Sequence, residues 1–186
     1  WLATLGISSI SLIFSFLVGT IATVCYRSRF LPLKYLANLY VELIRGTPLL
    51  VQIYLFFYVI ANAADIQNRY LVGVLIMAIF SGAYISEIFR AGIEGVGRSQ
   101  LLSAKAIGFS EYQTFRYVIA PQALRSSLPA LAGQTANLIK DSSLLSIIAI
   151  SEFTLNAQEV NAFTYSSFES FFPLALGYLA LTLPIM

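Results

Sequence analysis

Leu2–Tyr26 runs without a single charged side chain. At about 1.5 Å of rise per residue, roughly 20 apolar residues cross the hydrocarbon core of a bilayer. This run is long enough to do so, and no other stretch limits the fold as tightly. Composition extends the point to the rest of the chain. Charged residues make up 11% and hydrophobic residues 58%, with a mean hydropathy of +0.79. Soluble domains carry about 25% charged residues, so this chain has too little charge to cover a soluble surface. It reads as a polytopic membrane protein, residues 1–186 forming a single transmembrane domain.

The same composition excludes several functions. A formal net charge of +2, with basic residues scattered between apolar runs, gives no footprint for nucleic acid. Histidine is absent, which removes the commonest metal ligand and general base. Cys25 is the lone cysteine, so no internal disulfide forms. Gly46-Thr47-Pro48 lacks the Lys-Ser/Thr of a phosphate loop. The first apolar run is too long for a signal-peptide core and has no basic flank before it. The chain opens at Trp1 and stops inside an apolar run at Met186, so both ends are expected to be cut.

Arg27, Arg29 and Lys34 follow the first run at once. Basic residues beside a span mark the cytoplasmic side, so the first helix enters from outside. Its Ser8, Ser9, Ser11, Ser15, Gly19 and Thr20 suit close helix packing in lipid. A second span, Leu36–Ala61, is interrupted by Glu42, Arg45, Gly46, Thr47 and Pro48. Glu42 and Arg45 stand where they can pair on one helix face. Gly46 and Pro48 mark either a kink at the cytoplasmic edge or a hinge or gate of the kind broken helices supply in transporters. Asn62–Arg69 is a short outer loop. Tyr70–Phe89 is a third span with a small packing face at Gly82 and Ser86. Glu87, near its inner end, belongs either to a charge cluster with Arg90 and Glu94 or to the solute path.

Tyr112–Lys140 reads as one long segment with breaks at Pro121 and Pro129. Ser126, Ala130, Gly133 and Asn137 share one helical face, which suits helix packing or a polar wall along a path. Leu144–Ile150 is too short to span and is expected to be re-entrant or interfacial, which requires burial in protein or a water-filled cavity. Ser151–Glu169 is polar enough for a surface loop or amphipathic helix. Phe171–Met186 starts a last span but is too short to complete it. The expected total is about five spans, with the amino end outside and the carboxyl end inside.

The polar stretch Arg98–Pro121 lies between two long apolar segments and carries its own punctuation. Ser99 suits an N-cap, and Gly108 suits the left-handed position that ends a helix. Ser110 with Gln113 fits a capping box that restarts the helical pattern, and Pro121 disturbs this second helix. A compact helix–glycine–helix unit on the inner side predicts a docking surface for a soluble partner.

This stretch resembles the cytoplasmic loop of permease subunits of ATP-binding-cassette importers. Leu102-Ser103-Ala104, Lys105-Ala106-Ile107 and Gly108, with Pro121 thirteen residues later, keep that family's spacing. Leu102 and Ser103 stand where the pattern has Glu and Ala. Val41–Gln52, Ser81–Arg90, Phe115–Arg125 and Leu138–Leu144 are similar, in collinear order, to blocks of the polar amino-acid uptake branch. The resemblance implies an all-α type I importer permease of five or so helices, in a bacterial cytoplasmic (inner) membrane. It implies a second permease copy or paralogue, a cytoplasmic ATPase dimer and an extracytoplasmic solute-binding protein. ATP and Mg would then belong to the ATPase, and this chain would bind no cofactor and hold no catalytic site.

On that reading the Ser99–Ile107 helix, with Leu102, Ser103, Ala104 and Lys105, lies in a cleft of the ATPase. Ala104 allows close approach, Leu102 offers an apolar contact, and Gly108 lets the chain turn. Asn137, Asp141, Ser142 and Glu152 are the candidates for the solute path, because a zwitterionic amino acid needs both acceptors and donors. The same four also suit packing or loop fixing. A channel without an ATPase is the rival class; it would use the small-polar helix face, but no charged ring or filter sequence supports it.

Overall fold

The structure, a computed structural model, describes residues 1–186 and is built from helices throughout. Helix α1 (Leu2–Tyr26) packs along α4 (Arg69–Glu94). Small residues make that contact possible. A Cβ on Gly19 would sit 2.7 Å from Ile85 Cγ2, and one on Gly82 would sit 2.8 Å from Val18 Cγ1. In lipid, where apolar burial gains little, such close approach is the main source of helix association. Ser8, Ser11 and Ser15 face this seam, whereas Ser9 and Thr20 are exposed and take no part in it. The far side of α1 presents Ile10, Ile13, Leu17, Ile21 and Val24 outward.

Helix α4 is the centre of the molecule. Ile76, Met77, Ala83 and Ile85 are almost fully enclosed, and Ile53, Leu138, Leu145 and Ile150 complete the core around them. Helices α1, α4 and the α9 region (Ser167–Ile185) are each long and apolar enough to cross a membrane. The last therefore begins earlier than Phe171 and reaches spanning length. A bent pair supplies a fourth crossing if its two arms are one span. The pair consists of α2 (Leu31–Arg45) and α3 (Leu49–Tyr54) with its π-helical continuation Leu55–Ala61. The chain bends by 108° between the arms, so residues 46–48 form an elbow, sharper than a kink within a straight span.

After α4 come α5 (Arg98–Ala106) and the single turn α6 (Glu111–Thr114). A π-helical turn, Phe115–Ile119, then feeds α7 (Ala120–Asp141). Pro121 lies just after the π-helical turn, inside a helical run unbroken from Glu111 to Asp141, and the widened turn before it accompanies its missing N–H. Pro129, expected to break the segment, sits inside α7 without ending it. The carbonyl it leaves without a donor is that of Arg125, on an exposed turn. A 3-10 segment, Ser142–Ile148, follows and closes with Ala149 in the left-handed region at φ 55°. Leu145 and Ile150 are fully enclosed beside Gly73, where a Cβ would meet Ile150 Cδ1 at 2.7 Å. Irregular backbone here is buried in protein, as a membrane environment requires. The polar segment after it forms α8 (Phe153–Thr164), which pairs with α9 (Ser167–Thr182).

Candidate functional site

The loop between α4 and α7 is held by local rules. Helix α5 is capped at its start by Gly97, not by Ser99, which already lies in the first turn. At the other end Gly108 takes φ +88°, the Gly108 amide donates to Lys105 O at 3.0 Å, and the Phe109 amide donates to Ala104 O at 3.0 Å. Those two bonds are a Schellman closure and require a residue free to be left-handed. A Cβ on Gly108 would meet nothing within 4 Å, so the demand for glycine comes from the backbone and not from crowding. Ser110 and Gln113 form the expected capping box, at 3.2 Å and 2.9 Å.

The orientation of α5 differs from expectation at one residue. Ala104 is 3% exposed and faces its own chain, so it cannot be the point of close approach to a partner. Its small size lets α5 lie against the π-helical turn. Gln122 Nε2 fastens the arrangement, donating to Gln100 Oε1 at 2.7 Å and to Val118 O at 2.8 Å. What α5 offers outward is Leu102, Ser103, Lys105 and the following Ile107, the last 72% exposed. An ion pair, Arg29 to Glu111 at 3.3 Å, links the α1–α2 turn to α6.

Above the loop lies a cavity of about 770 Å3 between α4 and α7. Charged groups of the elbow and α4 line one wall. Arg45 Nη1 donates to Glu87 Oε2 at 2.8 Å, Arg90 donates to both oxygens of Glu87, and Arg90 also reaches Glu94 at 2.9 Å. The pairing of Arg45 with Glu42 does not form. Asn38 Nδ2 donates to Glu42 instead, at 2.9 Å. Glu87 is thus a shared acceptor that ties the elbow to α4. The opposite wall carries Gln122, Ser126, Ala130 and Gln134.

The elbow itself is stapled. Thr47 Oγ1 donates to Leu43 O at 2.8 Å. Gln52 Nε2 donates to Ile44 O at 2.8 Å, to Thr47 O at 3.1 Å and to Thr47 Oγ1 at 2.8 Å. Ile44 O would ordinarily be met by the amide four residues on, which is the proline nitrogen of Pro48 and carries no hydrogen. Gln52 supplies the missing donor. A single polar residue inside the apolar run Leu49–Ala61 is the signal that marks Gln52, since a polar group there must find an internal partner.

The four solute-path candidates divide. Asn137 and Asp141 lie four residues apart on the same side of α7, in line with Ser126, Ala130 and Gly133, and neither side chain has a hydrogen-bond partner within the chain. Asn137 is exposed, and a Cβ on Gly133 would meet nothing within 4 Å, so this side of α7 is open. Ser142 and Glu152 are completely enclosed. Ser142 Oγ donates to Ile139 O at 2.7 Å. Glu152 caps α8, accepting from the amides of Thr154 and Leu155 at 2.8 Å each, and Tyr178 Oη donates to it at 2.9 Å. The positive end of α8 and a phenol therefore satisfy this carboxylate. Tyr178 gave no signal in the sequence, because its partner lies 26 residues away. No three His, Cys, Asp or Glu side chains come together to hold a metal ion.

Residues 8–186 match the model of the family described as binding-protein-dependent transport system inner membrane component. A probable glutamine ABC transporter permease protein, GlnM of Bacillus subtilis, is 35% identical over 98% of this chain and 84% of its own length. The L-cystine transport system permease protein TcyB of the same organism is 36% identical, over 86% of this chain and 68% of its own. The nopaline transport system permease protein NocM of Agrobacterium fabrum is 34% identical, over 96% of this chain and 78% of its own. Among solved structures, a crystal structure of an amino acid ABC transporter with histidines superposes with a TM-score of 0.93 at 34% identity. It covers 100% of this chain and 86% of that one.

Proposed function

The chain belongs to the binding-protein-dependent transport system inner membrane components, as the membrane permease subunit of an amino acid importer, and we propose that its cargo is a polar amino acid. Glutamine, cystine and nopaline are the solutes named for its relatives, and all three are polar. The family implies an ATPase and a solute-binding protein as partners. We place the ATPase dimer against the outward side of α5, at Leu102, Ser103, Lys105 and Ile107. Gly108 and Pro121 bound the loop that transmits the motion, and this chain binds no cofactor of its own. The observation that carries the coupling is the anchoring of α5. Ala104 packs the helix against the π-helical turn that runs into α7, and the Gln122–Gln100 bond joins it to the first turn of α7. A displacement of α5 by a closing ATPase therefore reaches α7 without being absorbed in the loop.

In this reading the open side of α7 faces a second permease copy or paralogue, and the path runs between them. Asn137 and Asp141 meet the solute first. A carboxylate suits the ammonium of an amino acid and an amide suits its carboxylate. Ser142 and Glu152 stand behind them, fixing the turn that presents Asp141. Helix α7 makes a further crossing, giving about five, with the amino end outside and the loop in the cytoplasm of a bacterial cell. The basic residues Arg27, Arg29, Arg98, Lys105 and Arg116 at the loop end support that orientation in the inner membrane. The elbow at Gly46 and Pro48, with Glu87, gates the inner end of the path.

The test is the ATPase activity of the reconstituted complex with its binding protein, across a panel of amino acids. Stimulation of several-fold by one or a few polar amino acids is the expected result. A chain that passes solute with no ATPase bound to it would be a channel, and the coupling reading would fall.

A further inference from the structure

A second cavity, of about 780 Å3, lies on the other side of the α4–α7 contact from the charged one, and Ser127 borders both. It falls within the roughly 300–1,000 Å3 of ligand sites. Its walls are Val24 of α1, Phe89 and Ile93 of α4, Phe115 of the π-helical turn and Leu124 of α7. Outside these walls the surface continues through exposed Ile21 and Leu128, and up α1 through Leu17, Ile13 and Ile10. The groove is thus an indentation in the apolar surface that α1 turns away from the protein. At its loop end the lining changes to Arg27, Ser28 and Glu111. Glu111 is taken by Arg29, whereas Arg27 forms no ion pair. An apolar trough therefore ends in an uncompensated guanidinium at the depth where Leu2–Tyr26 leaves the membrane.

We propose that this groove is a binding site for an anionic phospholipid of the leaflet on the loop side. An acyl chain lies against Val24, Phe89, Phe115 and Leu124, and the phosphate pairs with Arg27 and accepts from the Ser28 hydroxyl. Three features select this occupant. The walls along the length that faces hydrocarbon are apolar apart from Thr20, Thr23 and Ser127, whose hydroxyls each donate to a backbone carbonyl. The sole free charge is positive and sits at the headgroup level, where basic pockets between spans hold anionic headgroups. A guanidinium meets phosphate oxygens with two parallel donors. A soluble peptide would have to leave water to lie along a membrane-facing wall. One side of the groove is α6, so the bound lipid bridges the end of α1 to the loop.

Native mass spectrometry of the intact complex, released from membranes of equal phosphatidylglycerol and phosphatidylcholine, tests the assignment. Phosphatidylglycerol is expected to stay bound, one per permease copy, in excess over phosphatidylcholine. Arg27→Glu should lower that retention at least tenfold. Leu124→Trp, which fills the trough and keeps the charge, should lower it as well. Arg98→Gln, which removes a charge from the same end but lies outside the groove, should leave it unchanged. Arg27 is exposed at a helix end, so Arg27→Glu is expected to assemble even if the tryptophan variant does not. Equal retention of both lipids by the wild type, or undiminished phosphatidylglycerol in Arg27→Glu, would overturn the proposal.

Discussion

Gln52→Leu separates a stapled elbow from a free hinge. The side chain is 5% exposed and its amide nitrogen serves three acceptors across the bend. Leucine keeps the volume and removes the donor. Ile44 O then loses its partner, because Pro48 has no hydrogen to give, and a buried acceptor left unpaired costs about 1–3 kcal/mol. Loss of the bonds to Thr47 adds about 0.5–1.5 kcal/mol. The expected penalty is about 1.5–4.5 kcal/mol, borne by the elbow and not spread over the whole fold. At about 1.4 kcal/mol per decade, opening of the elbow rises roughly 12- to 1,600-fold. Hydrogen exchange of the amides of residues 52–54 reads this directly, since protection there should fall by that factor while that of residues 72–85 in α4 stays put. Uptake should fall with it, because the angle between the two arms is then no longer fixed. Wild-type exchange at residues 52–54 in Gln52→Leu would refute the reasoning and restore Gly46–Pro48 as a freely bending joint.

Other outcomes rest on the same geometry. Gly108→Val puts a β-branched residue at φ +88°, at a cost of about 1–3 kcal/mol. Uptake should be lost while assembly and ATP hydrolysis survive, and normal uptake would remove the loop from the coupling route. Gln122→Leu frees α5 from α7, so hydrolysis should persist with transport per ATP reduced several-fold, measured in proteoliposomes. Gly92→Val brings a side chain against Ser127 Oγ and within 2.8 Å of Ala123 O. It should destabilise the α4–α7 contact by about 1–3 kcal/mol, seen as a lower melting temperature. Asp141→Asn should abolish stimulation by the transported amino acid with melting unchanged. Glu152→Gln should show the reverse balance, a stability loss of about 1–3 kcal/mol from a weakened α8 cap, because the amide nitrogen that replaces one carboxylate oxygen cannot accept from a backbone N–H.

Which features the sequence revealed depended on how far their causes reach. Gly108 and the Ser110–Gln113 box were legible because cap and capped group lie within a few residues. The interruption at Gly46–Pro48 was legible for the same reason, but its 108° angle was not, since that depends on Gln52 and on Glu87 drawing Arg45 toward α4. Arg45 illustrates the limit well. A charge three residues away satisfies the local rule, yet the partner that wins lies 42 residues away and shares a second arginine. Ala104 is legible as a position needing a small side chain, but not its neighbour, because spacing gives the face of a helix and not what that face meets. Pro129 ended no helix because its orphaned carbonyl faces outward, and the number of exposed turns is set by packing. Ser142 and Glu152 looked like polar groups available to a solute; only the fold encloses them.

The four charges at the elbow have an electrical consequence. Arg45, Glu87, Arg90 and Glu94 are two cations and two anions bound in one chain of contacts. A single elementary charge carried across the full membrane potential exchanges about 2.3 kcal/mol per 100 mV. A cluster that sums to zero exchanges none when it moves as a unit. The cluster itself can therefore shift along the membrane normal without doing electrical work, which leaves Glu42, bonded only to Asn38, as the charge beside it on which the potential still acts.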